Sequence, residues 1–224
     1  MFNQATLNFL DDLSRNNNRQ WFEDNKSKYE TLVRQPALEF ISAMVPHLAG
    51  IAPNFRAEPK KVGGSLMRVY RDTRFSHNKT PYKTNIGIQF RHALSKDVHA
   101  PGFYLHIAPE ECFIGIGCWH PEPDALAQIR QRIAAYPEKW SAAKEDRKFA
   151  KYFTLEGDSL TRPPKGYAAN HPAIEDLKRK DFIGLSPLSK DEIIGSGLLK
   201  IANTRFSASV PLMKFLCESL NVNL

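Results

Sequence analysis

The sequence predicts an α+β fold: a central antiparallel, meander-like sheet flanked by N-terminal and C-terminal helices. Three observations predict it. Apolar residues recur at helical spacing up to about residue 48 and again after residue 121. Between them lie short runs rich in β-branched and aromatic residues, bounded by Gly, Pro, Asn or charge. Helices, then strands, then helices is the order of an α+β chain, not of an alternating parallel sheet.

The elements follow in order. Leu7, Phe9, Leu10 and Leu13 sit at helical spacing in 4–14, with Thr6 read as the N-cap. Asn16, Asn17 and Asn18 break that pattern as a turn. A second helix carries Trp21, Phe22, Tyr29, Leu32 and Val33, and is expected to break near Pro36, which cannot donate the helical hydrogen bond. Pro36 then opens a third helix through Leu48. Strands are predicted over 66–70, 86–90, 103–107 and 113–119. In the last run Cys112, Ile114, Ile116 and Cys118 point one way, and Phe113, Gly115, Gly117 and Trp119 the other. Pro109, Glu110 and Glu111 read as a hairpin connection. Helices return over 121–136 and 138–147, then a short one ends at Lys180, and 190–194 and 198–220 close the chain helically.

No low-complexity linker interrupts the 224 residues, so one domain over 1–224 is expected, long enough to bury a core without staples. No window approaches the roughly 18 consecutive apolar residues of a membrane span. The start, with Asp11 and Asp12, lacks the basic and apolar regions of a secretory signal. Three widely placed cysteines suit a reducing compartment. The expected location is cytoplasmic.

The charge is uneven. Of the net +7, the stretch 56–83 holds +6: eight Lys or Arg against Glu58 and Asp72. Its core, 68–83, begins as a strand and becomes a loop rich in turn formers. Arg71, Arg74, Lys79 and Lys83 repel one another unless an anion or carboxylate stands close, and guanidinium groups grip phosphate or carboxylate bidentately. The candidate ligand-binding set is therefore Arg68, Arg71, Asp72, Arg74, Ser76, Lys79, Tyr82 and Lys83, with Tyr104 beside it. A second basic, Pro-rich segment supplies Arg162, Lys165 and His171, which would form another wall if it folded alongside. Two readings stand together here: an open anion pocket, or Arg side chains absorbed in internal ion pairs. An enzyme on this plan would hold an anion with Arg71 and Arg74 and move a proton with His77 or His171.

Other chemistry is less supported. Gly115 and Gly117 lack the third glycine of a dinucleotide fingerprint, and no phosphate-loop or Gly-x-Ser-x-Gly pattern occurs. Cys118 with His120 and Tyr104 with His106 can share strand faces, but their spacing is no zinc pattern, so no metal and no cofactor is inferred. The expected partner is an anionic small molecule. The competing class is a non-catalytic nucleic-acid or protein-binding module, for which Tyr70, Phe75 and Tyr82 would supply stacking faces.

At these residues the chain resembles the DUF2461 family of bacteria and fungi. The likeness rests on Phe9-Leu10 to Trp21-Phe22, on the 71–83 run, and on Gly102 to Ile107. It continues through Gly115 to Pro121, Arg162 to Tyr167 with His171-Pro172, and Leu177 to Phe182. One departure is Asn78, where an acidic residue is expected before Lys79. The resemblance implies one domain covering the chain and supplies no activity and no catalytic residues.

Overall fold

The computed structural model describes residues 1–94 and 100–224. Helix α1 (Gln4–Arg15) is capped by Asn3, one turn before the expected Thr6. Thr6 instead sits at the third helical position, completing a capping box, and its hydroxyl donates to the Leu32 carbonyl at 2.8 Å. That carbonyl lies four residues before Pro36, which has no N–H to offer it. The expected break at Pro36 therefore does not occur. After α2 (Arg19–Asp24), α3 (Lys26–Tyr29) runs through a π-helical turn (Glu30–Arg34) into α4 (Gln35–Ile51). The widened turn absorbs the proline, and Thr6, fully buried, satisfies the orphaned acceptor.

The sheet has the order β1-β2-β3-β4-β6-β5, every pair antiparallel. β2 (Ile86–His92), β3 (Gly102–Ile107) and β4 (Cys112–Cys118) are the meander that the sequence announces. Ala108 N–H donates to the Glu111 carbonyl at 3.0 Å in the expected hairpin. β1 (Phe55–Arg56) and β5 (Thr154–Glu156) are short edges, and β6 (Phe182–Pro187) pairs with β4 after a helical excursion. The excursion comprises α5 (Pro123–Ala135), α6 (Pro137–Lys144) and α7 (Arg147–Tyr152), and α8 (Ile174–Leu177) follows β5. The predicted strand over 66–70 is reduced to single bridges, Leu66 to Ile88 and Tyr70 to Tyr82. The C-terminal segment is α9 (Lys190–Ile194), α10 (Leu198–Ala208) and α11 (Val210–Ser219), the last two parted at Ser209 before Pro211.

Helices cover one face of the sheet. Phe206 of α10 meets Phe103 edge-on at 5.0 Å and Phe90 at 5.9 Å, and Trp140 of α6 meets Phe182 at 5.8 Å. Ile114, Ile116 and Cys118 are buried on this side, as the alternation requires. Among the described residues no helix is long and apolar enough to cross a membrane.

All three cysteines are free and buried. Burial pushes the Cys217 thiol up to about 12, Cys118 well above its ordinary value, and Cys112 upward as well. Since the thiolate is the nucleophile, the folded protein is expected to resist iodoacetamide at neutral pH, while the chain in strong denaturant takes three labels by intact mass.

Candidate functional site

The 68–83 segment forms a hairpin rather than a loose loop. Arg71 N–H donates to the Pro81 carbonyl at 2.9 Å and Lys83 N–H to that of Val69 at 2.7 Å. Asn78 shapes the return, its side-chain oxygen accepting from the Thr80 N–H at 2.9 Å and hydroxyl at 2.8 Å. The four cations Arg71, Arg74, Lys79 and Lys83 are then placed differently. Arg74 is bidentate on Asp72, at 3.0 and 2.7 Å. That guanidinium, helped by the Arg74 N–H, holds the exposed Asp72 carboxyl down to about 2. Lys79 Nζ donates to the Thr73 carbonyl at 2.8 Å. The Arg71 guanidinium donates to the Thr80 hydroxyl and has no carboxylate partner among the described residues. Lys83 is half-buried, and desolvation, with Arg68 nearby, lowers its pKa.

A clamp from far along the chain holds this hairpin. The Asn17 carboxamide donates to the Tyr82 carbonyl at 2.9 Å and accepts its N–H at 3.1 Å, mimicking a strand neighbour. Phe22 lies flat on Tyr82, ring centroids 4.0 Å apart and 18° between planes. Tyr70 and Tyr29 close around the same ring, at 6.4 and 5.2 Å. Between α2 and the hairpin opens a cleft of about 770 Å³ lined by Asn17, Arg19, Glu23, Arg71, Lys79 and Tyr82, among others. Three cations thus face one carboxylate, and Glu23 is itself paired with Lys26 at 3.2 Å. Arg19 was not among the sequence candidates; nothing in its surroundings marks it until α2 is laid against the hairpin.

The other candidates lie elsewhere. Arg68 and the Arg74–Asp72 pair are on the hairpin but do not line the cleft, and neither does Ser76. The second wall is formed by 17–23, not by 162–171. That latter loop leaves the sheet beside Ser159, bridged to Arg179, at the β5–β6 margin, whereas the hairpin leaves at the β1–β2 margin. Arg162 and Lys165 lie there at the surface, and His171 Nδ1 accepts the Ala173 N–H at 3.1 Å just ahead of α8. His77 is at the hairpin tip.

Tyr104 faces a different concavity. On the sheet face turned away from the helices, a cavity of about 350 Å³ is floored by Gly102, Gly115 and Gly117 and walled by Tyr104, His106 and Phe113. The Tyr104 hydroxyl is 3.0 Å from His106 Nδ1, and the imidazole stacks on Phe113 at 4.7 Å with planes 5° apart. Burial pushes Tyr104 up to about 12 and lowers the His106 pKa, favouring the uncharged form of each.

Trp119 stands at the rim, and its backbone neighbour is held by a buried carboxylate. Asp181, 1% exposed, accepts the His120 N–H at 2.7 Å, the His120 ring at 2.9 Å and the Asp158 N–H at 3.0 Å. His120 is thereby kept at φ 45°, the left-handed region that non-glycine residues avoid. The expected common face for Cys118 and His120 is lost at this turn: Cys118 is buried under the helices and His120 is turned to Asp181.

A family model described as a conserved hypothetical protein, DUF2461, matches residues 5–215, nearly the whole chain. The chain belongs to the DUF2461 family. No curated protein gives a match. The segments by which the sequence resembles DUF2461 now have places: 71–83 is the cleft hairpin, β3 and β4 are the cavity floor, and Phe182 opens β6 beside the Asp181 clamp. The 9–22 segment supplies the opposite wall of the cleft.

Proposed function

We propose that this DUF2461 protein binds an anionic ligand, one bearing phosphate or carboxylate, in the cleft between 17–23 and the 70–82 hairpin. Arg71 carries the reading: it lines the cleft, and its guanidinium meets no carboxylate among the described residues. An unpaired guanidinium beside Lys79 and Arg19 is a fork awaiting an anion, since bidentate phosphate or carboxylate restores the missing charge-assisted bonds. Arg74 does not share the task, because Asp72 already occupies both arms of its fork. Arg162, Lys165 and His171 are not needed for it.

A second reading has its own observation. Phe75 is 94% exposed at the hairpin tip, with Arg74 5.8 Å from its ring centroid, an arrangement that suits stacking on an unpaired base. Thermal unfolding in the presence of inorganic pyrophosphate, or of a mixed single-stranded oligonucleotide, separates the two. The cleft reading expects pyrophosphate at saturating concentration to raise Tm by roughly 5–10 °C, as mass action on the folded state requires. A response to the oligonucleotide alone, collapsing steeply with salt, overturns it in favour of nucleic acid.

A further inference from the structure

We infer that the cavity on the open sheet face is a second binding site, built for one small, uncharged, planar heteroaromatic molecule. Cross-strand register makes the floor. Tyr104 lies opposite Gln89 on one side and Gly115 on the other, and Gly115 lies opposite Leu185. One strand step away, Gly102 pairs with Gly117. Rows of side chains that would normally fill such a face are missing at these glycines, which leaves a shallow flat-bottomed trough. Leu185, Ile183 and Phe113 wall it with apolar surface. At about 350 Å³ the cavity falls at the lower end of the range found for small-molecule sites, ~300–1,000 Å³.

The polar groups define the occupant. Among the described residues no Asp, Glu, Lys or Arg lines the cavity, so an ionised guest would lose its hydration and meet no countercharge from them. Besides the Tyr104 hydroxyl and the Trp119 indole at the rim, the described polar side chains lining it are the Gln89 carboxamide and the His106 imidazole. Among the described residues neither the Gln89 carboxamide nor His106 Nε2 has a hydrogen-bond partner. In the tautomer that accepts the Tyr104 O–H at Nδ1, the ring proton of His106 is on Nε2 and can donate to a guest. Gln89 offers a donor and an acceptor side by side. A flat ring carrying an acceptor and an amide-like edge satisfies both while its faces cover the glycine floor. The burial that lowers the His106 pKa supports the same reading, since it keeps the site uncharged.

This site shares no lining residue with the anion cleft and does not depend on it. The test is saturation-transfer NMR with purine, quinoxaline and lumichrome as uncharged rings, and naphthoate and octanol as charged and acyclic controls. Gly115→Val is the blocking variant. A Cβ there meets nothing closer than 3.5 Å, so the valine enters the trough without displacing backbone. The expected result is binding of a neutral ring that falls roughly tenfold or more in Gly115→Val. Gln89→Leu, which keeps the volume and removes the amide, weakens it too and decides the matter if the valine variant fails to fold. Arg71→Ala leaves ring binding unchanged. The inference is overturned if no ring binds, if naphthoate binds as well as the rings, or if both variants bind as the parent does. It is equally overturned if sedimentation shows a dimer that Gly115→Val dissociates, because a second copy would then occupy the face.

Discussion

Replacing Phe22 by alanine is expected to lower the unfolding free energy by about 4 kcal/mol. Phe22 is 2% exposed and stacks on Tyr82, with Tyr29 and Tyr70 at its edges. Truncation removes the apolar area of a whole ring and leaves a cavity bounded by other rings, which cannot collapse inward without breaking their own packing. At roughly 2–4 °C per kcal/mol for a chain of this size, Tm drops by about 8–16 °C. Phe22→Leu, which keeps most of the volume, costs below about 1.5 kcal/mol. The variant also carries functional weight, because the ring stack holds the anion-cleft hairpin against α2. Guanidinium unfolding of the three proteins measures the effect. A loss under about 1 kcal/mol for alanine would mean that the hairpin does not rest on this stack.

Asp181→Ala is expected to cost about 3 kcal/mol, from a single carboxylate far from the apolar core of the hairpin. Three hydrogen bonds converge on it, two from backbone N–H groups that have nowhere else to turn. Hydrogen bonds to a buried charge are worth more than neutral ones, and stranded backbone donors add their own desolvation cost. The loss also frees His120 from φ 45°, so Trp119 leaves the rim of the sheet-face cavity. Asp181→Asn keeps the shape but presents a donor to donors, and recovers less than half of the stability. Calorimetric unfolding of both variants is the measurement. Equal stability of Asp181→Asn and the parent protein would show that charge and acceptor count at this position do not matter.

The meander was legible because its buried positions are apolar and alternate with exposed or small ones, as in Ile86, Ile88 and Phe90. β6 was not, for a physical reason. Its inward positions are Phe182, Gly184 and Ser186, so the apolar alternation is absent where the strand is most buried. Gly184 makes room for Phe149, 3.1 Å from where a Cβ would stand, and the Ser186 hydroxyl accepts from Arg205 at 3.1 Å. Its partners, not its own residues, make it a strand. β1 and β5, at two and three residues, are likewise decided by pairing alone.

The candidate site was half legible. Charge density singled out the hairpin, and Arg71 and Lys79 do line a cleft. What the sequence could not carry is the opposite wall. Asn17 reads as a turn former, and its real task is a pair of hydrogen bonds to Tyr82, 65 residues away. The wall expected from Arg162, Lys165 and His171 sits at the other margin of the sheet, a distance that no local pattern encodes. The Asp181–His120 clamp spans 61 residues and was invisible for the same reason.

On the proposed reading Arg71, which lines the cleft, and not Arg74, which is held by Asp72, is the hairpin guanidinium that takes the anion. Calorimetric titration of pyrophosphate into the parent protein, Arg71→Ala and Arg74→Ala tests it most directly. The expected result is that Arg71→Ala weakens binding by roughly tenfold or more, the value of a lost charge-assisted pair, while Arg74→Ala stays within about twofold of the parent. Equal losses in both variants, or a larger loss at Arg74, would contradict the account.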